Sequence, residues 1–237
     1  MIPRIIHYCW FGRGPMPEMA QKCIASWHKY MPDYQYILWN EANFDINFNS
    51  YVHEAYKAGK YAFVSDVVRL YALEQYGGIY FDVDFEVYRS FNTLLGYHAF
   101  AGFEGSKYSP VMMGVIASEA KGEWVSEQLR EYEYRHFIVD GKMDLTTNVK
   151  FVTERMKSNG FIPNGLEQDY RDLHIFPAEL FCPRLTTGEY IRTENTYCEH
   201  KGVDSSWAKK TIKEKVLLVF GPQTRTKLIK MKRRIIG

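Results

Sequence analysis

Apolar and polar residues alternate along the chain in a pattern of short strands and helices. Residues 4–10 form an apolar run typical of a buried strand, residues 17–31 have helical spacing with a proline in the first turn, and residues 34–39 predict a second strand. A strand, a helix and a strand in this order indicate a parallel β-α-β unit. A short helix over residues 50–58, stopped by Gly59, follows this unit.

The rest of the chain is organised around residues 61–89. Residues 62–76 repeat apolar side chains at helical spacing, and the glycine pair at 77 and 78 ends the predicted helix. Residues 79–83 are aromatic and β-branched and predict a buried strand. Because side chains alternate along a strand, we expect Tyr80, Asp82 and Asp84 to point to one side, with the two aspartate Cα atoms roughly 6–7 Å apart.

Two carboxylates on one side of an apolar strand repel each other unless a cation or hydrogen-bond donors lie between them. A divalent ion removes this repulsion. A small number of oxygen ligands suits Mg²⁺ or Mn²⁺ that keeps waters and takes other ligands from the phosphates of a substrate. The alternative is that Asp82 and Asp84 face water at the end of the strand.

Asp66 and Arg69 lie three positions apart on the predicted helix and therefore on the same face. Taken alone, this spacing favours a surface ion pair that contributes a fraction of a kcal/mol. Their apolar neighbours Phe63, Val67 and Leu70 instead favour a partly buried pair that serves polar recognition.

The second half of the chain carries weaker signals. Residues 98–103 and 111–117 predict two strands, and the loop between them, residues 104–110, can frame an acceptor substrate. Residues 124–135 and 151–157 predict helices. Asn148, just before the second of these, is either a ligand contact or a helix cap.

Several sequence strings together resemble a known family. They are Ser65-Asp66-Val67-Val68-Arg69, Tyr76-Gly77-Gly78-Ile79-Tyr80, Asp82-Val83-Asp84, and the opening Ile6-His7 followed by Trp10 and Gly12. They resemble the DXD-containing sugar-transferase family 32, which includes bacterial capsular polysaccharide glycosyltransferases and, more distantly, the clostridial glucosylating toxins. The resemblance implies an α/β fold of the GT-A type, with a Rossmann-like mixed sheet whose predominantly parallel core is flanked by helices. It also implies a nucleotide-sugar donor, Mn²⁺ or Mg²⁺, and retention of anomeric configuration.

By this resemblance, four charged residues form the catalytic set. Asp84 coordinates the metal directly, and Asp82 holds the ribose and a metal-bound water. Asp66 and Arg69 hydrogen-bond the sugar ring of the donor.

The resemblance also implies donor contacts outside this set. Tyr80 lines the donor site, and Trp10 stacks on the donor's base at the carboxyl end of a strand. Core packing is the alternative for Trp10. His7, on the same strand, is expected to be a hydrogen-bonded core histidine rather than a catalyst.

His200, Ser205, Ser206 and Trp207 resemble the H-x(n)-S-W ending of the family. By resemblance, His200 is a candidate metal ligand, Ser205 or Ser206 contacts the metal or a phosphate, and Trp207 donates Nε1–H to a phosphate. The number of residues between the histidine and the tryptophan varies in the family.

The composition fits one large α/β domain of a globular protein. The chain has 237 residues, of which 46% are hydrophobic, 16% aromatic and 24% charged. Its four cysteines (Cys9, Cys23, Cys182 and Cys198) lack zinc-like spacing, which favours a reduced, cytoplasmic setting. We expect neither a signal peptide nor a membrane-spanning run.

The net charge of +2 conceals a basic C-terminal tail. Residues 209–237 hold ten Lys or Arg against Glu214, a charge of +9, which leaves −7 for residues 1–208, the predicted GT-A domain. Basic and apolar residues alternate in the tail and predict an amphipathic helix that contacts an anionic membrane at its inner face. A solvated terminus is the alternative; nucleic acid is a third possible partner of a basic tail and is not the one we expect.

These features and the resemblance predict a metal-dependent hexosyltransferase, and the resemblance alone implies retention of configuration. The favoured donor is UDP-galactose or UDP-glucose, although UDP-GlcNAc, UDP-GalNAc and GDP-mannose stay open. The expected acceptor is a polysaccharide or lipid-linked oligosaccharide in surface or capsular polysaccharide synthesis. A metal-dependent phosphohydrolase and a non-catalytic sugar-binding module are the alternatives, but the second has no need of the charged set at 66, 69, 82 and 84.

Overall fold

The structure, a computed structural model, describes residues 1–105, 110–184 and 189–202. These residues form six α-helices: α1 (Glu18–Tyr30), α2 (Ser50–Lys57), α3 (Tyr61–Tyr76), α4 (Glu123–Arg130), α5 (Asn148–Ser158) and α6 (Ala178–Phe181), with one 3-10 turn at Asn92–Leu94. The strands are β1 (Ile5–Cys9), β2 (Gln35–Trp39), β3 (Gly78–Phe81), β4 (Phe85–Val87), β5 (Ala99–Gly102), β6 (Val115–Ser118), β7 (Ile138–Val139), β8 (Lys142–Met143), β9 (Gln168–Tyr170), β10 (Leu173–Phe176) and β11 (Cys198–His200).

Seven of the described strands form one sheet in the order β2-β1-β3-β6-β5-β10-β9. β2, β1 and β3 pair in parallel, β6 runs antiparallel between β3 and β5, and β10 is parallel to β5. Only β6 and the edge strand β9 run against the common direction of this sheet. The predicted β-α-β unit and the Rossmann-like mixed sheet with a predominantly parallel core are therefore confirmed.

Helices cover both faces of the sheet, so the central strands are buried on both sides. Every residue of β3, β5 and β6 is buried, as expected for strands between two helical layers. One core contains Tyr51, Val67 and Trp124, from α2, α3 and α4. The other core contains Trp27 of α1 and Phe81 of β3.

The strand that leads to the aspartate pair is shorter than predicted. β3 ends at Phe81, and the chain turns through Asp82, Val83 and Asp84 before β4, with the N–H of Phe85 donating to the carbonyl of Asp82 at 3.2 Å. The expectation that Tyr80, Asp82 and Asp84 alternate along one strand is therefore wrong. Because of the turn, the two carboxylates have different partners.

Three predicted boundaries in the second half were also wrong. α4 ends at Arg130 rather than 135, because the chain after it turns Tyr132 and Phe137 into the core. α5 begins at Asn148, and Thr147 is its cap, accepting a hydrogen bond from the N–H of Lys150. β6 begins at Val115 instead of 111.

A two-stranded antiparallel ribbon joins distant parts of the chain. β11 pairs with β4, so that His200 lies opposite Phe85. The N–H of Lys201 then donates to the carbonyl of Asp84 at 2.8 Å. This ribbon brings His200 beside the aspartate turn.

The four cysteines are free thiols. Within residues 1–105, 110–184 and 189–202, no helix has the length and apolar character needed to cross a bilayer. The residues outside the described part of the chain include Ser205, Ser206, Trp207, the boundary at 208 and the tail of residues 209–237. The roles expected for them from the sequence stay predictions.

Candidate active site

The charged residues identified from the sequence meet at the carboxyl ends of the parallel strands. Asp66 and Arg69 lie on the buried side of α3, while Asp82 follows β3 directly. The N–H of Asp82 donates to the carbonyl of Gly114 at 2.7 Å, which fixes the start of the turn against β6. Ligands bind at this end of the strands in open α/β sheets.

Arg69 holds this group together. Its Nη2 lies 3.0 Å from Oδ1 of Asp66 and 3.2 Å from Oδ1 of Asp82, and its Nη1 lies 3.4 Å from Oδ2 of Asp82. Nη1 also donates to the carbonyl of Met113, and Nε donates to the carbonyl of Ser65 at 3.2 Å. The guanidinium thus donates four hydrogen bonds and forms one further ion-pair contact with Asp82. In this geometry Arg69 orients Asp66 and Asp82, and its contact with a sugar stays a prediction.

Tyr80 completes the support of Asp82. The fully buried ring of Tyr80 lies 4.7 Å from Cζ of Arg69, and its hydroxyl donates to Oδ1 of Asp82 at 2.8 Å. Asp82 is thus held by a guanidinium and a phenol before any ligand binds.

Burial changes the acidity of both carboxyls that contact Arg69. It raises the pKa of Asp66 to about 7, against the opposing charge of Arg69, and the charge of Asp82 adds to the increase. Burial also raises the pKa of Asp82, again against Arg69. Any cation that binds here favours the ionised carboxylates.

Asp84 and His200 form a separate pair. Nε2 of His200 lies 2.9 Å from Oδ2 of Asp84. Oδ1 of Asp84 is buried and has no hydrogen-bond partner, although a buried carboxylate oxygen ordinarily has one. A carboxylate with an unused oxygen beside an imidazole fits a divalent cation such as Mn²⁺.

Protein ligands beyond this pair are not assembled in the described residues. No group of three or more His, Cys, Asp or Glu side chains there has the arrangement of a closed metal site. A site with few protein ligands is the kind that Mg²⁺ or Mn²⁺ shares with the phosphates of a substrate.

Trp10 and Asn148 are two further residues that the sequence predicts to contact the donor. Trp10 lies at the carboxyl end of β1, half-buried, and its Nε1 donates to the carbonyl of Gly14 at 2.7 Å. Asn148, at the first position of α5, is 6% exposed, and its Nδ2 has no partner. Their contacts with a donor stay predictions.

His7 is the core histidine that the sequence predicted. Its Nε2 lies 2.8 Å from the carbonyl of Gly77, and its Nδ1 accepts a hydrogen bond from Nε1 of Trp39. Burial lowers the pKa of His7 to about 4.

Sequence reasoning missed three side chains near the site. Burial raises the pKa of Glu104, the charge of His200 opposes this increase, and the charge of Asp82 adds to it. Tyr132 is fully buried, and Arg135 pairs with Asp144 at 2.9 Å, in the chain segment that was predicted to be helical. A cluster of aromatic and charged residues, Tyr132-Glu133-Tyr134-Arg135-His136, was the available signal.

A cavity of about 750 Å³ lies beside Glu104, between that residue and α5. Its walls are apolar at Phe161, Ile162 and Pro163 and charged at Lys150. Its size is within the range of small-molecule sites.

Residues 17–101 match the family described as glycosyltransferase sugar-binding region containing DXD motif. The matched region includes Asp66, Arg69, Tyr80, Asp82 and Asp84. Trp10, Asn148 and His200 fall outside it.

Curated relatives share this part of the chain. Inositol phosphoceramide mannosyltransferase 3 of Schizosaccharomyces pombe is 35% identical over 112 residues, which cover 41% of this chain and 28% of the relative. Mannosyl phosphorylinositol ceramide synthase CSH1 of Saccharomyces cerevisiae is 33% identical over 115 residues, which cover 42% of this chain and 27% of the relative. The match thus spans less than a third of the length of these relatives.

Among solved structures, the PaToxG glycosyltransferase gives a TM-score of 0.46 at 18% identity, covering 54% of this chain and 59% of that chain. The resemblance on which the sequence prediction depended is confirmed: residues 17–101 match the DXD-containing glycosyltransferase region, and the similar curated proteins are mannosyltransferases or mannosyl phosphorylinositol ceramide synthases by name.

Proposed function

We propose that this protein is a divalent-metal-dependent, retaining hexosyltransferase that uses a nucleotide-sugar as donor. The observation that carries the proposal is the unpartnered, buried Oδ1 of Asp84 beside His200, a short turn away from the Arg69-held carboxylates of Asp66 and Asp82. This arrangement supports a metal ion at Asp84 next to polar side chains that bind the sugar, as a nucleotide-sugar donor requires.

Each residue has a task in this proposal. Asp84 and His200 would hold the ion, which when bound would stabilise the negative charge that develops on the leaving diphosphate. Asp82, fixed by Arg69 and Tyr80, would bind the ribose. Asp66 would accept a hydrogen bond from a hydroxyl of the sugar, and Trp10 would stack on the base.

Retention of configuration is proposed from the family. A retaining hydrolase would need two carboxylates at a set separation that flank the bond to be broken. Here Asp66 and Asp82 are both paired with Arg69 instead. We therefore propose attack by the acceptor hydroxyl from the side of the leaving group.

Three nucleotide-sugars are candidates for the donor, and the experiment below distinguishes them. UDP-galactose and UDP-glucose follow from the sequence interpretation. GDP-mannose is added because two of the curated relatives are mannosyltransferases or mannosyl phosphorylinositol ceramide synthases by name.

The proposed acceptor is a hydroxyl of a lipid-linked oligosaccharide or polysaccharide. The names of the relatives contain inositol phosphoceramide and phosphorylinositol ceramide, which supports a lipid-linked acceptor over a free polysaccharide. A role in capsular polysaccharide synthesis, a cytoplasmic location and peripheral contact of residues 209–237 with the membrane are parts of the same proposal.

The test measures the unfolding midpoint and donor turnover with each nucleotide-sugar, with and without Mn²⁺. A ligand at one hundred times its dissociation constant stabilises by about 2.7 kcal/mol, or several degrees. We expect one donor to raise the midpoint only when Mn²⁺ is present. Phosphate release from simple phosphate esters without donor binding would favour a phosphohydrolase, and Mn²⁺-dependent donor binding without turnover on any acceptor would favour a binding module.

A further inference from the structure

Three buried hydrogen-bond donors near Asp66 have no partner. They are Oη of Tyr132, Nη1 of Arg135 and Nδ2 of Asn148, and we call these three residues the polar cluster. Buried polar atoms in folded proteins nearly always have a hydrogen-bond partner. Three unused donors in one region therefore indicate a place where a ligand supplies the acceptors.

Arg135 is held in a fixed orientation. Its Cζ lies 4.9 Å from the ring centre of Tyr51, 5.0 Å from that of Tyr132 and 3.9 Å from that of Phe151. Its Nη2 lies 2.9 Å from Oδ2 of Asp144. The aromatic rings and this ion pair leave Nη1 as the nitrogen of the guanidinium that is buried without a hydrogen-bond partner.

The other two members lie against the same aromatic group. The ring centre of Tyr132 is 5.0 Å from that of Tyr51 and 5.9 Å from that of Phe151. Asn148 precedes Phe151 by three positions on α5 and therefore shares its face of the helix. The segment after α4 and the first turn of α5 thus bring the three donors together.

Asp66 is the nearby acceptor. Burial is the main reason why the pKa of Tyr132 is raised, and the charge of Asp66 adds more to this increase than any other charge. In turn, the charge of Arg135 lowers the pKa of Asp66, against the effect of burial. Phe63 lies three positions before Asp66 on the same face of α3, and its ring centre is 4.9 Å from that of Phe137, two positions after Arg135. The segment after α4 therefore packs against the part of α3 that carries Asp66.

We propose that the polar cluster and Asp66 together form the recognition site for the sugar that is transferred. This inference rests on the proposed function, because the sugar is that of the nucleotide-sugar donor. The hydroxyls of a hexose both accept and donate hydrogen bonds, so the cluster supplies the donors and Asp66 the acceptor. Sites built to bond a hydroxyl discriminate strongly against sugars that lack it, since the protein groups are then left unpaired.

Tyr132→Phe is the decisive variant because it removes one unpartnered hydroxyl and nothing else. Binding is measured by calorimetry with Mn²⁺ and UDP-glucose, UDP-galactose or GDP-mannose, and again with UDP or GDP alone. We expect about tenfold weaker binding of the nucleotide-sugar that the native protein binds. Binding of the nucleotide alone should not change, and the unfolding midpoint should not fall.

Tyr34→Phe is the matched control. Tyr34 is also a buried tyrosine, but its hydroxyl donates to Oδ1 of Asn92 at 2.8 Å. It lies just before β2, at the opposite end of the parallel strands from the site. This variant should lower the unfolding midpoint and leave donor affinity unchanged. Arg135→Lys is the second test, since lysine keeps the charge but cannot offer two parallel N–H groups. This variant should also bind the nucleotide-sugar more weakly while its affinity for the nucleotide alone stays unchanged.

The outcomes separate the two proposals. If the native protein binds a nucleotide-sugar and both variants bind it equally well, only the sugar-recognition inference is overturned. The sugar-recognition inference is also overturned if the variants lose affinity for the nucleotide and for the nucleotide-sugar to the same extent. If the native protein binds no nucleotide-sugar with any divalent ion, the proposed function is overturned and this inference with it.

Discussion

Nε2 of His200 lies 2.9 Å from Oδ2 of Asp84, although 116 positions separate the two residues in the chain. Both are placed by the ribbon of β4 and β11, not by the large sheet. The second carboxylate oxygen of Asp84 is buried without a partner, which supports the proposed role of Asp84 as a metal ligand.

Asp84→Asn should weaken Mn²⁺ binding by at least tenfold, because a neutral amide replaces the anionic ligand. Electron paramagnetic resonance of free Mn²⁺ during a titration measures this affinity without any donor. Asp33→Asn is the control, since Asp33 pairs with Arg4 on the exposed surface. Equal Mn²⁺ affinity in the native protein and Asp84→Asn would remove Asp84 from the metal site.

Arg69→Met should lower the free energy of unfolding by about 3–5 kcal/mol, because two buried carboxylates lose their cation. Urea denaturation followed by circular dichroism measures the change. The control is Lys157→Met, which breaks an exposed pair with Glu154 and should cost less than about 1 kcal/mol. Equal losses in the two variants would contradict the central role given to Arg69.

Gly114→Ala should reduce the transfer rate by about 100-fold while the fold persists. A Cβ atom at this position would meet Cε2 of Phe85 at 2.6 Å and Oδ2 of Asp82 at 2.9 Å, so the carboxylate must move. Gly96→Ala, where a Cβ meets nothing within 4 Å, is the control and should react at the native rate. A native rate in Gly114→Ala would show that the position of Asp82 is not critical.

Because His7 is buried in its neutral form, the free energy of unfolding should fall in mild acid. Its pKa is about 4 in the folded state and near 6.5 when unfolded, so the unfolded chain takes up the proton first as the pH falls. Its contribution is complete above pH 6.5 and decreases towards pH 4, by about 3 kcal/mol in total.

Urea unfolding between pH 4 and pH 7 measures this loss. His7→Gln should have a smaller dependence on pH over that interval, whereas His98→Gln, at an exposed position, should behave like the native protein. If the profile of His7→Gln has the native slope, another group is responsible.

Deletion of residues 209–237 should abolish binding to vesicles that contain phosphatidylserine. The ten basic side chains of that segment would each contribute about 1 kcal/mol near an anionic surface. Sedimentation with vesicles at low and high salt measures the effect. Unchanged binding after the deletion would exclude the tail as the membrane contact.

The local sequence pattern was sufficient to predict the helix and strand that carry most of the site residues. α3, the glycines that end it and β3 follow from apolar periodicity and backbone conformation, and the pairing of Asp66 with Arg69 follows from helical spacing. These features depend on residues a few positions apart, where periodicity is informative.

The remaining parts of the site depend on tertiary contacts. From periodicity, Asp82 and Asp84 were expected to share a strand and α4 was expected to reach Arg135. In the structure β3 ends at Phe81 and α4 ends at Arg130, and the chain turns after each of them. The buried, unpartnered atoms of Tyr132 and Arg135 become visible only when the segment after α4 packs against α2 and α5. No periodic signal in the sequence reports that packing.

The ribbon of β4 and β11 also sets an order of events during synthesis. The DXD turn leaves the ribosome more than one hundred residues before His200 does, since Asp84 and His200 are 116 positions apart. A nascent chain therefore has the acidic turn but lacks the imidazole and the strand that close it. Under the proposed function, metal affinity should appear only after β11 has been made, so a nascent chain that ends before β11 should not bind its donor productively.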